Sequence, residues 1–312
     1  MQNTFSAIQN FWHAAGALVK ATFQAWNDDK ATRLSAAIAY YTVFSLAPLL
    51  VIVIALAGSL LGTDAARGYV YHELRQLMGP QGALAVQAMV NSAGKDPDGG
   101  IAAALGFALL IFGASGVFYH LQDALNTVWN VKPKPARGFF TLIQERFFSM
   151  AMVLGTGFLL LVSLLVNALL AAVLESLKNW WAPFAVLLPV SQLAFSFSVA
   201  AIMFALIFKI LPDVHLKWRD VWVGAVVTAA LFALGQFALG YYLGRSAFAS
   251  AYGAAGSLAV VMLWVFYSTQ ILLLGAEFTR AYARRYGSHI TIASNAVPMS
   301  QAERDTQGMP KT

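Results

Sequence analysis

The chain contains no cysteine. That excludes a disulfide framework, a cysteine-ligated zinc site and a thiol nucleophile. Charge is scarce too. Only 11% of the 312 residues are Asp, Glu, Lys or Arg, against ~25% in soluble domains. The five histidines are far apart in sequence, and no HExxH or phosphate-loop pattern occurs. A metal-dependent nuclease needs several His, Asp or Glu ligands converging on its ions, and nothing here supplies them. The paired carboxylates are confined to Asp28-Asp29 and Asp96/Asp98.

What is present is apolar. Hydrophobic residues make up 59% of the chain, and the mean hydropathy is +0.65. A core in a chain of this size cannot absorb that much apolar surface, so the excess must face lipid. Six segments are long and apolar enough to span a bilayer, which takes about 20 residues. They run over 34–61, 101–129, 149–174, 184–211, 221–243 and 256–282. The expected fold is all-α: a polytopic membrane protein with about six transmembrane helices. The hydrophobic run starts too late for a cleavable signal peptide.

Orientation follows from loop charge. With the N-terminus inside, the outer segments hold only Arg67, Arg75, Lys95, Lys178 and Arg245, and the other fifteen of the 20 basic residues fall on inner segments. This bias predicts both termini in the cytoplasm. Trp129, Trp218 and Trp222 fall at expected inner boundaries, where indole rings settle.

Three domains are expected. Residues 1–33 form a cytoplasmic amphipathic segment, with Phe5, Ile8, Trp12, Val19, Phe23 and Trp26 on one helical face. It either lies on the membrane or packs on the protein. Residues 34–286 form the transmembrane domain. Its outer insertion, about 63–100, reads as two short amphipathic helices broken at Gly79-Pro80-Gln81-Gly82. Residues 287–312 are polar and are expected to be a disordered cytoplasmic tail. Asp96-Pro97-Asp98 opens like a calcium loop, but Phe107 stands where the bidentate Glu belongs, so it reads as a turn.

Ionisable groups inside a membrane are costly and usually face a partner or a cavity. Asp123, Asn126, Arg146, Gln270, Glu277 and Arg280 suggest a polar group near the cytoplasmic face. Asp123, Arg146, Glu277 and Arg280 would be its charged core. It reads either as a solute vestibule or as interhelical pairing that fixes register. Pro48 would bend the first span and is a candidate hinge. Gly224, Gly235, Gly240 and Gly244 predict close packing of the fifth span, against the sixth or against another subunit.

Four stretches resemble the YihY/virulence factor BrkB family. The first runs from Ser35 through Tyr40-Tyr41-Thr42-Val43-Phe44-Ser45 to Pro48. The second runs from Ala114-Ser115-Gly116 to Asn126-Thr127-Val128-Trp129. The third is Trp218-Arg219-Asp220-Val221-Trp222, and the fourth joins Tyr252-Gly253 to Gly275-Ala276-Glu277. Ala47 departs from the family pattern, where a bulkier residue is usual. The resemblance implies a bacterial inner-membrane protein with about six helices. It also implies an unsettled activity, since the family's ribonuclease BN label is widely regarded as a misassignment. The expected function is transporter-like, binding or moving a small solute or lipid. The alternative is a non-catalytic scaffold of the envelope. No enzyme activity and no cofactor are expected. The expected partners are membrane lipids and a small solute or lipid substrate, with no nucleic acid. Self-association is compatible with the sequence.

Overall fold

The computed structural model describes residues 2–93, 116–134, 184–245, 253–287 and 290–310. Helix α1 is Gln2–Asp28 and α2 is Ala31–Leu61. Between them Lys30 takes a left-handed conformation (φ 53°) that turns the chain. Helix α3 is Thr63–Ala93. Helix α4 covers 116–128 and leads into strand β1, Val131–Pro133. Helix α5 is Phe184–Ile210, strand β2 is Val214–His215, α6 is Trp218–Arg245 and α7 is Gly253–Tyr286. Strands β3 (Thr291–Ile292) and β4 (Ala296–Pro298) follow, then the short helix α8, Gln301–Thr306.

Among the described helices, four are long and apolar enough to cross a membrane: α2 over Ala31–Ser59, α5 over Leu193–Ile210, α6 over Trp218–Leu239 and α7 over Leu258–Tyr286. Their outward faces carry large apolar groups. Leu193, Leu234 and Phe237 are each at least 69% exposed, which suits lipid rather than water. The chain is thus an all-α integral membrane protein. The third predicted span (149–174), the outer part of the second, Arg146 and the Asp96 turn lie outside the described residues.

Two apolar cores hold the bundle. One gathers the ends of α2, α4, α5, α6 and α7 around Ile38, Leu125, Phe208, Val221 and Leu273. The other joins α2, α3 and the first half of α7 around Ile54, Val86, Val261 and Val265. Helices α6 and α7 touch backbone to side chain. A Cβ on Gly224 would collide with Thr279, and one on Gly235 with the Tyr267 hydroxyl. The expected pairing of the fifth and sixth spans is therefore observed at these two glycines. The surroundings of Gly240 and Gly244 lie outside the described residues.

The break expected in the first outer insertion falls at Gly79, whose φ of 78° and ψ of 173° interrupt α3. Only glycine adopts that conformation without strain. Both limbs of α3 pack on α2 and α7. The first limb doubles back along α2: Gly58 abuts Thr63 across the turn, and Ile54 shares a cleft with Val70 and Leu74. Helix α1 packs on α7 through a face that includes buried Leu18 and Thr22, and presents Trp12, Val19 and Phe23 outward.

The expected disordered tail is corrected for residues 290–310. Strand β4 pairs antiparallel with β1, Val131 opposite Pro298, and β3 pairs with β2, Val214 opposite Ile292. A capping box starts α8: the Ser300 hydroxyl accepts from the Glu303 N–H, and the Glu303 carboxylate accepts from the Ser300 N–H. Two of the tail's apolar groups, Ala296 and Met309, are buried. Hydrogen-bonded strands and one buried guanidinium order a segment whose composition alone reads as disordered.

Candidate functional site

One end of the bundle is closed by charge. Asp29 follows α1 and is 1% exposed, and both its oxygens face guanidinium groups. Its Oδ2 lies 2.7 Å from Arg280 Nη1, and its Oδ1 lies 2.7 Å from Arg304 Nη2. Arg280 Nη1 also reaches the Val128 carbonyl at 2.5 Å and Glu277 Oε2 at 3.3 Å. Arg304 donates to the Asn130 carboxamide as well. Asn130 holds a left-handed φ of 55° at the end of α4, a conformation asparagine tolerates. Two carboxyl groups and two guanidiniums thus meet in a buried network. It ties together the α1–α2 turn, α4, α7 and α8. We refer to it as the clasp.

A second network flanks the clasp. Asp213, between α5 and β2, accepts from Asn126 Nδ2 at 2.8 Å and from Asn295 Nδ2 at 2.9 Å. The Asp213 N–H donates back to Asn126 Oδ1 at 2.8 Å. Asn126 is therefore used on both sides of its amide. Outside the apolar bundle, Lys132 pairs with Glu303. That ammonium, with the Ser300 N–H, holds the Glu303 carboxyl down to about 2.

The residues expected to form one polar group are divided by the fold. Glu277 and Arg280 meet in the clasp, and Asn126 joins the neighbouring network. Gln270 lies on α7 with its Oε1 buried and unpartnered among the described residues. Asp123 lies on an exposed flank of α4, where His120 is the neighbouring charge. It is not part of the clasp. Arg146 lies outside the described residues. Pro48 sits within α2, which continues as helix on both sides of it. About two turns before it, Tyr40 and Tyr41 are exposed, and Tyr41 stacks on His120 with ring centroids 3.6 Å apart. Sequence reasoning missed Asp29, Asp213 and Arg304. The Ser300-to-Glu303 capping box was the available signal that α8 and its arginine would be ordered.

The other polar structure is α3. It carries Arg67, His72, Glu73, Arg75 and Gln87, yet it packs along two apolar helices. His72, Arg75 and Gln87 are exposed. A shallow open cleft, with a cavity volume of about 20 Å³, lies between its two limbs and α2. Among the described residues no three His, Cys, Asp or Glu side chains are placed to hold a metal ion.

Comparison with known proteins agrees with this architecture. The virulence factor BrkB family profile matches residues 22–300. A UPF0761 membrane protein of Teredinibacter turnerae is 23% identical over 286 residues, covering 89% of this chain and 63% of that one. One of Legionella pneumophila is 29% identical, covering 62% of this chain and 45% of that one. One of Tolumonas auensis is 35% identical over 75 residues, which is 24% of this chain and 25% of that one. The chain thus spans less than two thirds of the length of these relatives. No solved structure matches. With its family segments distributed over α2, α4, α6 and α7, the chain belongs to the virulence factor BrkB family of membrane proteins.

Proposed function

We propose that the protein is a transporter-like component of the bacterial inner membrane, with both termini in the cytoplasm, that binds or moves a small solute or lipid. The observation that carries this reading is α3. A helix of 31 residues is ~45 Å long at 1.5 Å per residue, so α2 exceeds the ~30 Å hydrocarbon core. Helix α3 starts at the far end of α2 and returns along it. Its first limb, 63–78, covers ~24 Å at the same rise, which brings Gly79 near mid-depth. A polar hairpin with broken backbone is tolerated at that depth only where protein buries it or where it lines a wet cavity. Discontinuous helices of this kind build the binding sites of many transporters. The clasp, at the opposite end, is then the cytoplasmic closure.

The inner location of the clasp is supported by the charge bias of the loops and by the alternation of helix ends. The start of α2, the end of α4, the end of α5, the start of α6 and the end of α7 all meet there. Six spans with both termini inside would produce that pattern.

The scaffold reading has its own support: among the described residues, Glu277 Oε1 is the only buried side-chain atom of the clasp without a partner. Reconstituted vesicles separate the two readings. Leaflet exchange of a headgroup-labelled lipid, or efflux of a trapped solute, is expected with the full chain. It is expected to stop when a disulfide between Arg75→Cys on α3 and a cysteine on α7 pins the hairpin. Vesicles that move neither class, from protein that retains a stoichiometric envelope partner, would favour the scaffold.

A further inference from the structure

The cleft between the limbs of α3 has two chemistries. Its floor is aliphatic, with five side chains that include Ile54 of α2 and Val86 of the second limb. Its polar lining is Arg67 and Tyr71 from the first limb and Gln87 and Asn91 from the second. Among the described residues no acidic side chain lines it. Arg67 is exposed and makes no ion pair among the described residues, although Asp64 stands one turn away. Helical spacing explains the convergence. Residues 67, 70, 71 and 74 share one face of the first limb, and 86, 87, 90 and 91 share one face of the second. The break at Gly79 folds these two faces toward each other.

We infer that this cleft is a binding site for a lipid with an anionic phosphate headgroup, held by Arg67, Gln87 and Asn91 while its chains lie on the aliphatic floor. A guanidinium with two carboxamides is a donor set for phosphate oxygens. The position suits an amphiphile. Counting from Ala31, Arg67 stands ~37 Å up the bundle and Leu74 ~27 Å, so the charge falls at headgroup level and the floor in hydrocarbon. A free anion would find the same donors but would gain nothing from the floor, so a lipid is the favoured occupant. The inference rests on the reading of α3 as a hairpin inserted from the outer side.

The test uses the full chain in nanodiscs of equal dioleoyl phosphatidylglycerol and dioleoyl phosphatidylcholine. Lipid retained on release into detergent is read by native mass spectrometry. The wild type is expected to retain phosphatidylglycerol selectively, and Arg67→Gln to lower that retention roughly tenfold, as for loss of one charge-assisted contact. Asn91→Leu is expected to lower it less. Arg75→Gln, an exposed charge on α3 outside the cleft lining, is expected to leave it unchanged. Inorganic phosphate at millimolar concentration is expected not to displace the lipid. Equal retention by wild type and Arg67→Gln overturns the assignment, as does equal loss in Arg67→Gln and Arg75→Gln. Displacement by inorganic phosphate reassigns the cleft to a free anion and overturns the lipid. Selective retention without any translocation in vesicles leaves this inference standing and removes the transport reading. Translocation without selective retention does the reverse.

Discussion

Arg280 and Asp29 each have several partners, so removing either strands more than one group. Asp29→Asn would leave two buried guanidiniums without their shared anion. Breaking a buried pair from one side costs ~3–5 kcal/mol, and thermal unfolding in detergent should show a loss of that order. Asp123→Asn, on an exposed flank, should change stability by no more than ~0.5 kcal/mol. A large loss at Asp123 with none at Asp29 would mean that the clasp is wrongly assigned. Glu303 gives a pH prediction. Its folded-state value, about 2, lies below the ordinary 4.5. Its contribution is therefore present above about 4.5 and is lost as pH falls toward 2. The Lys132 contact should hold the tail from neutral pH down to about 5 and weaken it below that. Hydrogen exchange of 296–306 reads the change, and Glu303→Gln should abolish this part of the pH dependence.

At the scale of elements, the seam between α6 and α7 depends on the absence of side chains. Gly224→Val would drive a branched side chain into Thr279. Overpacking costs ~1–3 kcal/mol, so the melting temperature should fall, while Val226→Leu on the exposed face of α6 should leave it unchanged. This seam was legible in the sequence because glycine at helical spacing in an apolar run has few other uses. The break in α3 was legible for the same reason, since Gly79-Pro80 cannot continue a helix. Ordering of the tail was not legible. Its composition is polar, and its stability comes from strands of two or three residues paired with β1 and β2, which lie more than 160 and about 80 residues earlier in sequence, respectively. Arg304 contributes through the distant Asp29 carboxylate and the Asn130 carboxamide. Arg304→Ala should leave the transmembrane helices intact and make 290–310 sensitive to protease. Protection equal to the wild type would mean that the strands alone hold the tail.

At the scale of the whole molecule, hydropathy and loop charge were sufficient for the membrane class, because a chain with so few charges has no other solvent. They were not sufficient for the site. Glu277 and Arg280 are neighbours on one helix turn and were found by spacing. Arg280's partner Asp29, and Arg304 bound to that same carboxylate, come from opposite ends of the chain, and no local pattern joins them. Asp123 shares a helix face with Asn126 in sequence, yet the two side chains have different environments. The outer insertion was the most ambiguous segment from sequence and is the most informative in the fold. It is too polar for a span, but it packs along two spans.

The most direct test of the account is the water accessibility of α3. The absence of native cysteine makes every introduced thiol unique. Single cysteines at Arg67, Arg75 and Ala88, and at outward-facing Phe237 on α6 as the lipid control, would be exposed to a membrane-impermeant maleimide on intact cells. Labelling is expected at all three α3 positions, including Arg75 close to the Gly79 turn, and none at Phe237. Labelling at Arg67 with none at Arg75, or labelling of α3 only after the membrane is opened, would contradict a hairpin that lines a wet path from the outer side.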